Sequence, residues 1–309
     1  MAMDIRQIAH MDPNQAKESL IATQKALLDK LSEREIMRRI NRFRDLPFRT
    51  MSYEEIEDAI GKVLQIEGPH SGEPQWILPW RTGNYPAGYF FYRVRKGFIC
   101  RISDCLAPPA EIVNLGRLNK ANEPVLYTSP CNPTIALDEV GIPTGELASI
   151  IVYRSNEQVD LTWIGADDSD AFDPGDSESS ESQTTKLSLF LDFLKHEFTR
   201  DVGGGTEYLY QISEIIANGI LPVTPDRDGW IYPSVSRRGE FVNVCFLPDR
   251  ASRKLQLVGV LLAEIIDRGN PDWTLRNLYF GYPQPGLALL DFELFDSEKH
   301  DRHFPTMKR

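Results

Sequence analysis

The chain has 309 residues, a formal net charge of -11 and a hydrophobic content of 41%. That content can supply a buried core, whereas the acidic excess disfavours binding of nucleic acid through a basic surface, because such binding depends on neutralising phosphates. No stretch approaches the roughly 20 apolar residues that cross a bilayer, and the first residues lack the apolar segment of a secretion signal, so we expect a cytoplasmic protein without membrane contact.

Helical patterning dominates the first part of the chain. Apolar residues recur at helical spacing over residues 12–43, and Ser32 is a candidate N-cap within this stretch. A second helix is predicted after Ser52, because Glu55 follows it in the capping-box arrangement. We therefore predict a helical N-terminal region over residues 1–68. This region could bind a partner protein, mediate assembly into a homo-oligomer or cover a sheet face.

The amino-acid composition changes after this region. Residues 69–87 are rich in Gly and Pro, which favours an ordered linker. Residues 88–309 alternate between short helices and runs of aromatic and β-branched residues, and so predict an α+β domain. The predicted strands are Tyr89–Val94, Phe98–Ile102, Val125–Thr128, Glu146–Val152, Val159–Ile164, Trp230–Tyr232 and Phe241–Leu247, with further strands after Lys254.

An acidic, serine-rich segment interrupts this domain at residues 167–185. It contains no Lys or Arg and few apolar side chains, so we predict a disordered surface insertion. Helices are predicted after it over Leu187–Phe198 and over Tyr208–Asn218, and Gly219 is the expected stop of the second.

The side chains that commonly bind metals are scattered along the chain. The four cysteines form no CxxC pair, and the five histidines lie apart from them. Structural zinc sites need tight pairs of such residues, so we predict reduced thiols and no metal site.

Polar residues of complementary chemistry are concentrated in the segment Gly116–Val140. Arg117 can bind an anion, Tyr127 can pack on a ring, and Glu139 can face a developing positive charge. Ser234 lies farther along the chain at a predicted strand edge. Each residue taken alone has an ordinary structural explanation. Arg117 would be an ion-pair partner and Tyr127 a core aromatic. Glu139 would be a solvated residue at a helix end, and Ser234 a turn residue.

Five motifs occur in an order that resembles the RES-domain family. They are FYRVRK (Phe91–Lys96), GRLN (Gly116–Asn119), PVLY (Pro124–Tyr127), ALDEV (Ala136–Val140) and DGWIYPSV (Asp228–Val235). That family has an ADP-ribosyltransferase-like split mixed β-sheet and degrades NAD by phosphorolysis or hydrolysis, often as the toxin paired with an Xre-type antitoxin. The resemblance implies a RES-like catalytic domain with NAD as substrate, inorganic phosphate as a possible co-substrate, no further cofactor and an Xre-type partner.

The resemblance also assigns roles to residues. It implies catalytic roles for Arg93, Glu139 and Ser234, and NAD binding by Arg117, Tyr127 and Asn119. The position of the acidic residue is left open between Asp138 and Glu139, because the spacing from Arg117 is one residue longer than the family pattern. The family often has GGRWN where this chain has Leu115–Asn119, and loss of that Trp could alter ring packing.

The implied chemistry has a physical basis. Cleavage of the nicotinamide–ribose bond builds positive charge on the ribose carbon, so a fixed carboxylate such as Glu139 stabilises the transition state more than the ground state. Arg93 and Arg117 would bind the pyrophosphate or the attacking phosphate, because a guanidinium forms a planar fork matched to phosphate oxygens. Ser234 would orient Glu139 or a ribose hydroxyl. Two other functions are left open: transfer of ADP-ribose to a macromolecule, and non-catalytic binding of NAD or a partner on the same scaffold.

Overall fold

The computed structural model describes residues 22–67, 74–77, 80–165, 181–221, 224–269 and 273–305. The described residues form two compact units. The helical unit is drawn from Met1–Arg81, Ile164–Glu197 and Val202–Leu221, and the sheet unit from Thr82–Trp163, Phe198–Asp201 and Pro222–Arg309. The units are therefore discontinuous in sequence, whereas the predicted division at residues 68 and 88 is linear.

Helices and strands both contribute to the described residues, which confirms the α+β class. The helices are α1 (Glu33–Arg44), α2 (Tyr53–Leu64), α3 (Pro133–Val140), α4 (Glu181–Thr199), α5 (Tyr210–Glu214), α6 (Pro248–Lys254) and α7 (Ser297–His300). The strands are β1 (Gln65–Glu67), β2 (Pro74–Trp76), β3 (Trp80–Tyr85), β4 (Phe90–Lys96), β5 (Leu126–Pro130), β6 (Leu147–Ser155), β7 (Val159–Ile164), β8 (Gly229–Pro233), β9 (Val242–Phe246), β10 (Leu255–Arg268), β11 (Trp273–Pro283) and β12 (Leu290–Leu294). No described helix combines the length and apolar character needed to cross a membrane.

Local capping signals explain where the first helices begin. The side chain of Ser32 caps α1, as predicted. Helix α2 begins with the predicted capping box, in which Ser52 Oγ accepts from the Glu55 amide at 3.2 Å and the Glu55 carboxylate accepts from the Ser52 amide at 2.7 Å. These bonds satisfy donors that the first turn of a helix otherwise leaves unpaired. Residues 22–29 are also helical, and the earlier part of the predicted pattern lies outside the described residues.

Helix α4 begins earlier than predicted. The sequence assigns residues 181–185 to a disordered insertion, but they form the first turn of α4. Gln183 Nε2 donates to Asp29 Oδ1 at 2.9 Å, and Lys186 Nζ donates to the Leu28 carbonyl oxygen at 3.2 Å. These tertiary contacts offset the entropic cost of ordering a polar segment. The rest of the predicted insertion, residues 167–180, lies outside the described residues.

Two further predictions are corrected in this part of the chain. Helix α5 continues as a π-helix over Ile215–Ile220, so the chain passes Gly219 in a helical conformation instead of ending there. Gly219 does not adopt the positive φ typical of a glycine that ends a helix. Within the predicted linker, residues 69–87, strand β2 pairs antiparallel with β1, and β3 forms one edge of the large sheet.

Most of a ten-stranded sheet lies in the sheet unit, in the order β12-β11-β10-β6-β4-β5-β9-β8-β7-β3. The sheet is mixed, because β7 and β8 run parallel while the other registered neighbours are antiparallel. The two central strands, β4 and β5, pair over only a short length, where Phe91 lies opposite Pro130 and Tyr92 lies opposite Ser129. By contrast, β4 pairs with β6 along its whole length. The β4–β5 junction is therefore the point where the two halves of the sheet meet.

Apolar clusters lie on both faces of the sheet around β4. Successive side chains of a strand point to opposite faces. Phe91 belongs to the cluster that contains Tyr153 and Phe246, whereas Tyr92 belongs to the cluster that contains Leu137 of α3. We call these the Phe91 face and the Tyr92 face. Helix α3 therefore packs on the Tyr92 face.

The predicted strand Phe98–Ile102 does not form, and only a single antiparallel β-bridge between Arg101 and Leu289 is present there. Gly97 has a φ of 81° and turns the chain at the end of β4. The amide of Ile99 then donates to Ser149 Oγ at 3.1 Å, so its backbone bonds a side chain instead of a neighbouring strand. A 3-10 turn over Ile102–Cys105 follows. The apolar residues of this segment are the reason that the sequence predicts a strand here.

Candidate functional site

Glu139 lies in the last turn of α3, whose ends are set by local signals. Asn132 caps the helix by accepting from the Thr134 amide at 2.9 Å, and Pro133 occupies its first turn. Gly141 ends the helix with a φ of 63°. The exposed Glu139 carboxylate lies near the negative end of the helix dipole, which destabilises a helix. Its presence at this position is therefore not explained by a contribution to helix stability.

One oxygen of the Glu139 carboxylate is fixed by donors from the sheet. Ser234 Oγ donates to Oε1 at 2.5 Å, and Ser236 donates to the same oxygen through Oγ at 3.1 Å and its amide at 3.4 Å. Asn243 Nδ2 also donates to Oε1, at 3.0 Å. Among the described residues, nothing donates a hydrogen bond to Oε2. The carboxylate is therefore held by one oxygen, and the other is available to a ligand.

Asn243 is oriented by a second buried side chain. Ser129 Oγ, on the neighbouring strand β5, donates to Asn243 Oδ1 at 2.7 Å, which assigns the amide nitrogen to Glu139. Sequence reasoning missed Ser129, Ser236 and Asn243, because a single Ser or Asn has no distinctive pattern. One signal was present: Asn243 is a polar residue within the predicted buried strand Phe241–Leu247, and buried polar groups require hydrogen-bond partners.

Asp138, the alternative carboxylate, has different partners. Its Oδ2 accepts from Arg237 Nε at 2.7 Å and forms an ion pair with Arg237 Nη2 at 2.6 Å. Its Oδ1 accepts from Trp273 Nε1 at 3.0 Å. Both oxygens therefore hold structural contacts. The geometry groups Glu139, and not Asp138, with Ser234.

The GRLN loop is built around the hydroxyl of Tyr127. This oxygen accepts from the Leu118 amide and donates to Asn119 Oδ1, each at 3.0 Å. Asn119 is buried, and its Nδ2 donates to backbone carbonyls of the same loop at 2.9 Å. A Cβ at Gly116 would lie 2.4 Å from Asn119 Oδ1, so this position requires glycine. Tyr127 and Asn119 therefore hold the loop in shape.

Tyr232 contacts Tyr127 and is influenced by the charge of Glu139. Burial raises the pKa of Tyr232 well above its ordinary value, and the nearby Tyr127 and Glu139 act in the same direction while Arg117 opposes them. The Tyr127 and Tyr232 rings form an edge contact with centroids 6.2 Å apart. Arg117 Nη2 also donates to the Arg200 carbonyl oxygen at 3.1 Å. The predicted residues Arg117, Tyr127 and Glu139 therefore all act electrostatically on one aromatic side chain that sequence reasoning did not select, and the Tyr127 ring also contacts it.

Arg93 has hydrogen-bond partners other than Glu139 and Ser234. Alternation along β4 puts it on the Phe91 face, where Nη1 donates to the Leu106 carbonyl oxygen at 2.9 Å. Burial lowers the pKa of Arg93, and a hydrogen bond with Tyr153 opposes this shift. Within the described part of the chain, Arg93 forms no hydrogen bond or ion pair with Glu139 or Ser234. Of the predicted catalytic residues, Glu139 and Ser234 are in contact and Arg93 is not.

We expect Tyr127→Phe to lower the free energy of unfolding by about 1–3 kcal/mol, because it removes hydrogen bonds in a partly buried loop. Urea denaturation measures this change. Tyr279→Phe is the control, since Tyr279 is 42% exposed, and it should change stability by less than about 0.5 kcal/mol. Equal stability of Tyr127→Phe and wild type would show that the Tyr127 hydroxyl does not hold the loop.

The described residues contain no group of His, Cys, Asp and Glu side chains arranged to hold a metal ion. The buried His300 illustrates how such side chains are used. Its Nδ1 accepts from the Asp296 amide at 2.9 Å, its Nε2 lies 3.0 Å from Glu293 Oε1, and its ring stacks on Phe280. These contacts hold the C-terminal segment against the sheet.

Comparison of the chain with protein-family models, curated proteins and solved structures found no match. The contacts of Glu139 and the motifs that resemble the RES-domain family are therefore the basis for inferring a function.

Proposed function

We propose that this protein cleaves the nicotinamide–ribose bond of NAD and transfers the ADP-ribosyl group to inorganic phosphate or water. The observation that carries the proposal is the Glu139 carboxylate, held through Oε1 by Ser234, Ser236 and Asn243 with Oε2 available. In the reaction, the bond from the ribose carbon to the nicotinamide nitrogen breaks, and its electron pair stays on the nitrogen. An oxygen of phosphate or water then bonds to the ribose carbon, and an attacking water releases one proton to the solvent.

The fixed carboxylate suits this chemistry. Nicotinamide is cationic in NAD and leaves as a neutral molecule, so the reaction does not need the general acid that glycosidases use. What it needs is negative charge near the ribose carbon, where positive charge develops. Oε2 of Glu139 can accept a hydrogen bond from a ribose hydroxyl, while the donors to Oε1 hold the carboxylate in place. A preorganised carboxylate of this kind requires no rearrangement during the reaction.

The surrounding residues divide into ligand contacts and supports. The hydroxyl of Tyr127 bonds the GRLN loop, so we assign its ring to packing against NAD, beside the ring of Tyr232. Arg117 is assigned to the pyrophosphate, because its guanidinium matches phosphate oxygens. We assign Asn119 to holding the loop, since its side chain is buried and bonded within it.

We further propose that the sheet is the ADP-ribosyltransferase-like split sheet of the RES-domain family. The short β4–β5 junction supports this assignment. A role as the cytoplasmic toxin of a toxin–antitoxin pair rests on the motif resemblance alone, as does the Xre-type partner. In this proposal the helical unit is the candidate surface for the partner or for self-association.

Incubation of the purified protein with NAD tests the reaction. We expect nicotinamide release without any acceptor protein, measured by chromatography with and without inorganic phosphate. A phosphate requirement with formation of phosphorylated ADP-ribose identifies phosphorolysis, whereas free ADP-ribose without phosphate identifies hydrolysis. Adenine label recovered on protein or nucleic acid would identify a transferase instead. Unchanged NAD in every condition would refute the proposal and leave a non-catalytic binding module.

A further inference from the structure

Two buried side chains on the Tyr92 face connect strand β5 with the Glu139 carboxylate. Ser129 lies opposite Tyr92 of β4, and the register of β5 and β9, extended by one residue, places Ser129 opposite Asn243 as well. Side chains at opposite positions of neighbouring strands lie on the same face of a sheet. Ser129 and Asn243 are only 2% and 3% exposed. Because α3 packs on this face, Asn243 lies between Ser129 and Glu139.

Asn243 forms hydrogen bonds in two directions through one planar amide. Nδ2 donates to Glu139 Oε1 at 3.0 Å, and Oδ1 accepts from Ser129 Oγ at 2.7 Å. Among the described residues, no other side chain donates to Oδ1. The nitrogen and oxygen of an amide have nearly the same size, so half a turn of the amide would point Oδ1 at the carboxylate and replace attraction by repulsion. The orientation of this amide therefore decides whether Asn243 stabilises the charge of Glu139.

The hydroxyl of Ser129 supports the orientation in which Asn243 donates to Glu139. It supplies the donor that a buried acceptor such as Oδ1 requires, and it restrains the end of the amide that points away from the carboxylate. Without this hydroxyl, Oδ1 would be buried without a donor, and the amide would be held through Nδ2 alone. Ser234 and Ser236 have a different role, because they donate to Glu139 directly.

We propose that Ser129 is a positioning residue for the reaction and acts on Glu139 through Asn243. This inference rests on the proposed cleavage of NAD at Glu139. The hydroxyl of Ser129 holds the Asn243 amide, the amide holds Oε1 of Glu139, and Oε2 remains available to the ribose. Removal of the hydroxyl loosens the carboxylate, and a loosened carboxylate stabilises the developing positive charge less well.

Steady-state kinetics of nicotinamide release test the proposal. We expect Ser129→Ala to lower kcat about tenfold and to leave KM within about twofold of wild type, because the oxygen assigned to the ribose keeps its environment. Ser149→Ala is the matched control. Ser149 is also buried in the sheet, and its Oγ bonds the Gly97 carbonyl oxygen and the Ile99 amide. This variant loses similar contacts away from Glu139, so it should retain the kcat of wild type.

A double-mutant cycle shows whether Ser129 acts through Asn243. Asn243→Ala removes the amide and leaves Ser129 nothing to position, so the double variant should be no slower than Asn243→Ala alone. Unfolding temperatures of all variants, measured on the same samples, show that each one is folded. If the two losses of kcat multiply in the double variant, Ser129 acts independently of Asn243 and the proposal is overturned.

Nuclear magnetic resonance examines the Asn243 contact without NAD. We expect Ser129→Ala, and not Ser149→Ala, to speed the exchange of the Asn243 side-chain amide protons with water, because one of the two bonds that hold the amide is lost. A wild type that leaves NAD unchanged would refute the proposed reaction, and the positioning role with it, whatever the spectra show. An active wild type whose kcat, or whose Asn243 exchange rate, is unchanged in Ser129→Ala would overturn this inference alone.

Discussion

Glu139→Gln is expected to slow NAD cleavage about a hundredfold to a thousandfold and to leave the fold intact. Glutamine keeps the shape of the side chain and an oxygen that can accept from Ser234, Ser236 and Asn243. It carries no negative charge, so it cannot stabilise the positive charge that develops on the ribose carbon. Initial rates of nicotinamide release, with unfolding midpoints measured on the same samples, check both parts of this result.

Asp138→Asn is the matched control, and it should lower stability while leaving the rate of NAD cleavage nearly unchanged. Arg237 loses a charged acceptor, which should lower the free energy of unfolding by about 1–2 kcal/mol. The rate of nicotinamide release should stay within about threefold of wild type, a change smaller than one lost catalytic contact produces. If Asp138→Asn proves inactive and Glu139→Gln active, the two carboxylates have been assigned the wrong way round.

Gly229→Ala should lower the free energy of unfolding by at least about 3 kcal/mol. A Cβ at this position would lie 1.9 Å from the carbonyl oxygen of Cys245 and 3.0 Å from the Cα of Phe246. Both atoms belong to the backbone of β9, which pairs with β8, so no side-chain rotation relieves the clash. Because β8 leads into Ser234 and β9 carries Asn243, the contacts of Glu139 should be lost together with the pairing.

The control for this substitution is Gly203→Ala. A Cβ at Gly203 would meet no atom within 4 Å, and Gly203 has no positive φ, so its replacement should change stability by less than about 0.5 kcal/mol. Denaturant unfolding compares both variants with wild type. Equal stability of Gly229→Ala and wild type would mean that β8 and β9 do not approach as closely as described.

Some of the fold could be predicted because its signals are local. The caps at Ser32 and Ser52 act within one helical turn, and β7 occupies the predicted residues Val159–Ile164. Prediction failed where a tertiary partner outweighed the local signal. Phe98–Ile102 has the composition of a strand, but its Ile99 amide bonds a side chain of β6 and only Arg101 forms a β-bridge. The polar residues 181–185 are helical because residues far along the chain bind them.

The candidate site was predictable to a smaller extent. The motif resemblance selected Glu139 and Ser234, which are in contact. It left Asp138 and Glu139 unresolved, because adjacent acidic residues differ only in what surrounds them. Sequence reasoning also missed Asn243, which bonds Glu139 across a separation of 104 residues. No pattern in a window of neighbouring residues can report such a contact.

The sequence by itself determined the α+β composition, the helix starts at Ser32 and Ser52, and the short list of polar residues worth locating. These features depend on interactions between residues close together in the chain. The tertiary structure decided which carboxylate meets Ser234, which oxygen of Glu139 is held, and that Arg93 bonds the Leu106 carbonyl oxygen instead of Glu139 or Ser234. Those outcomes depend on sheet order and register, which bring residues of distant strands together.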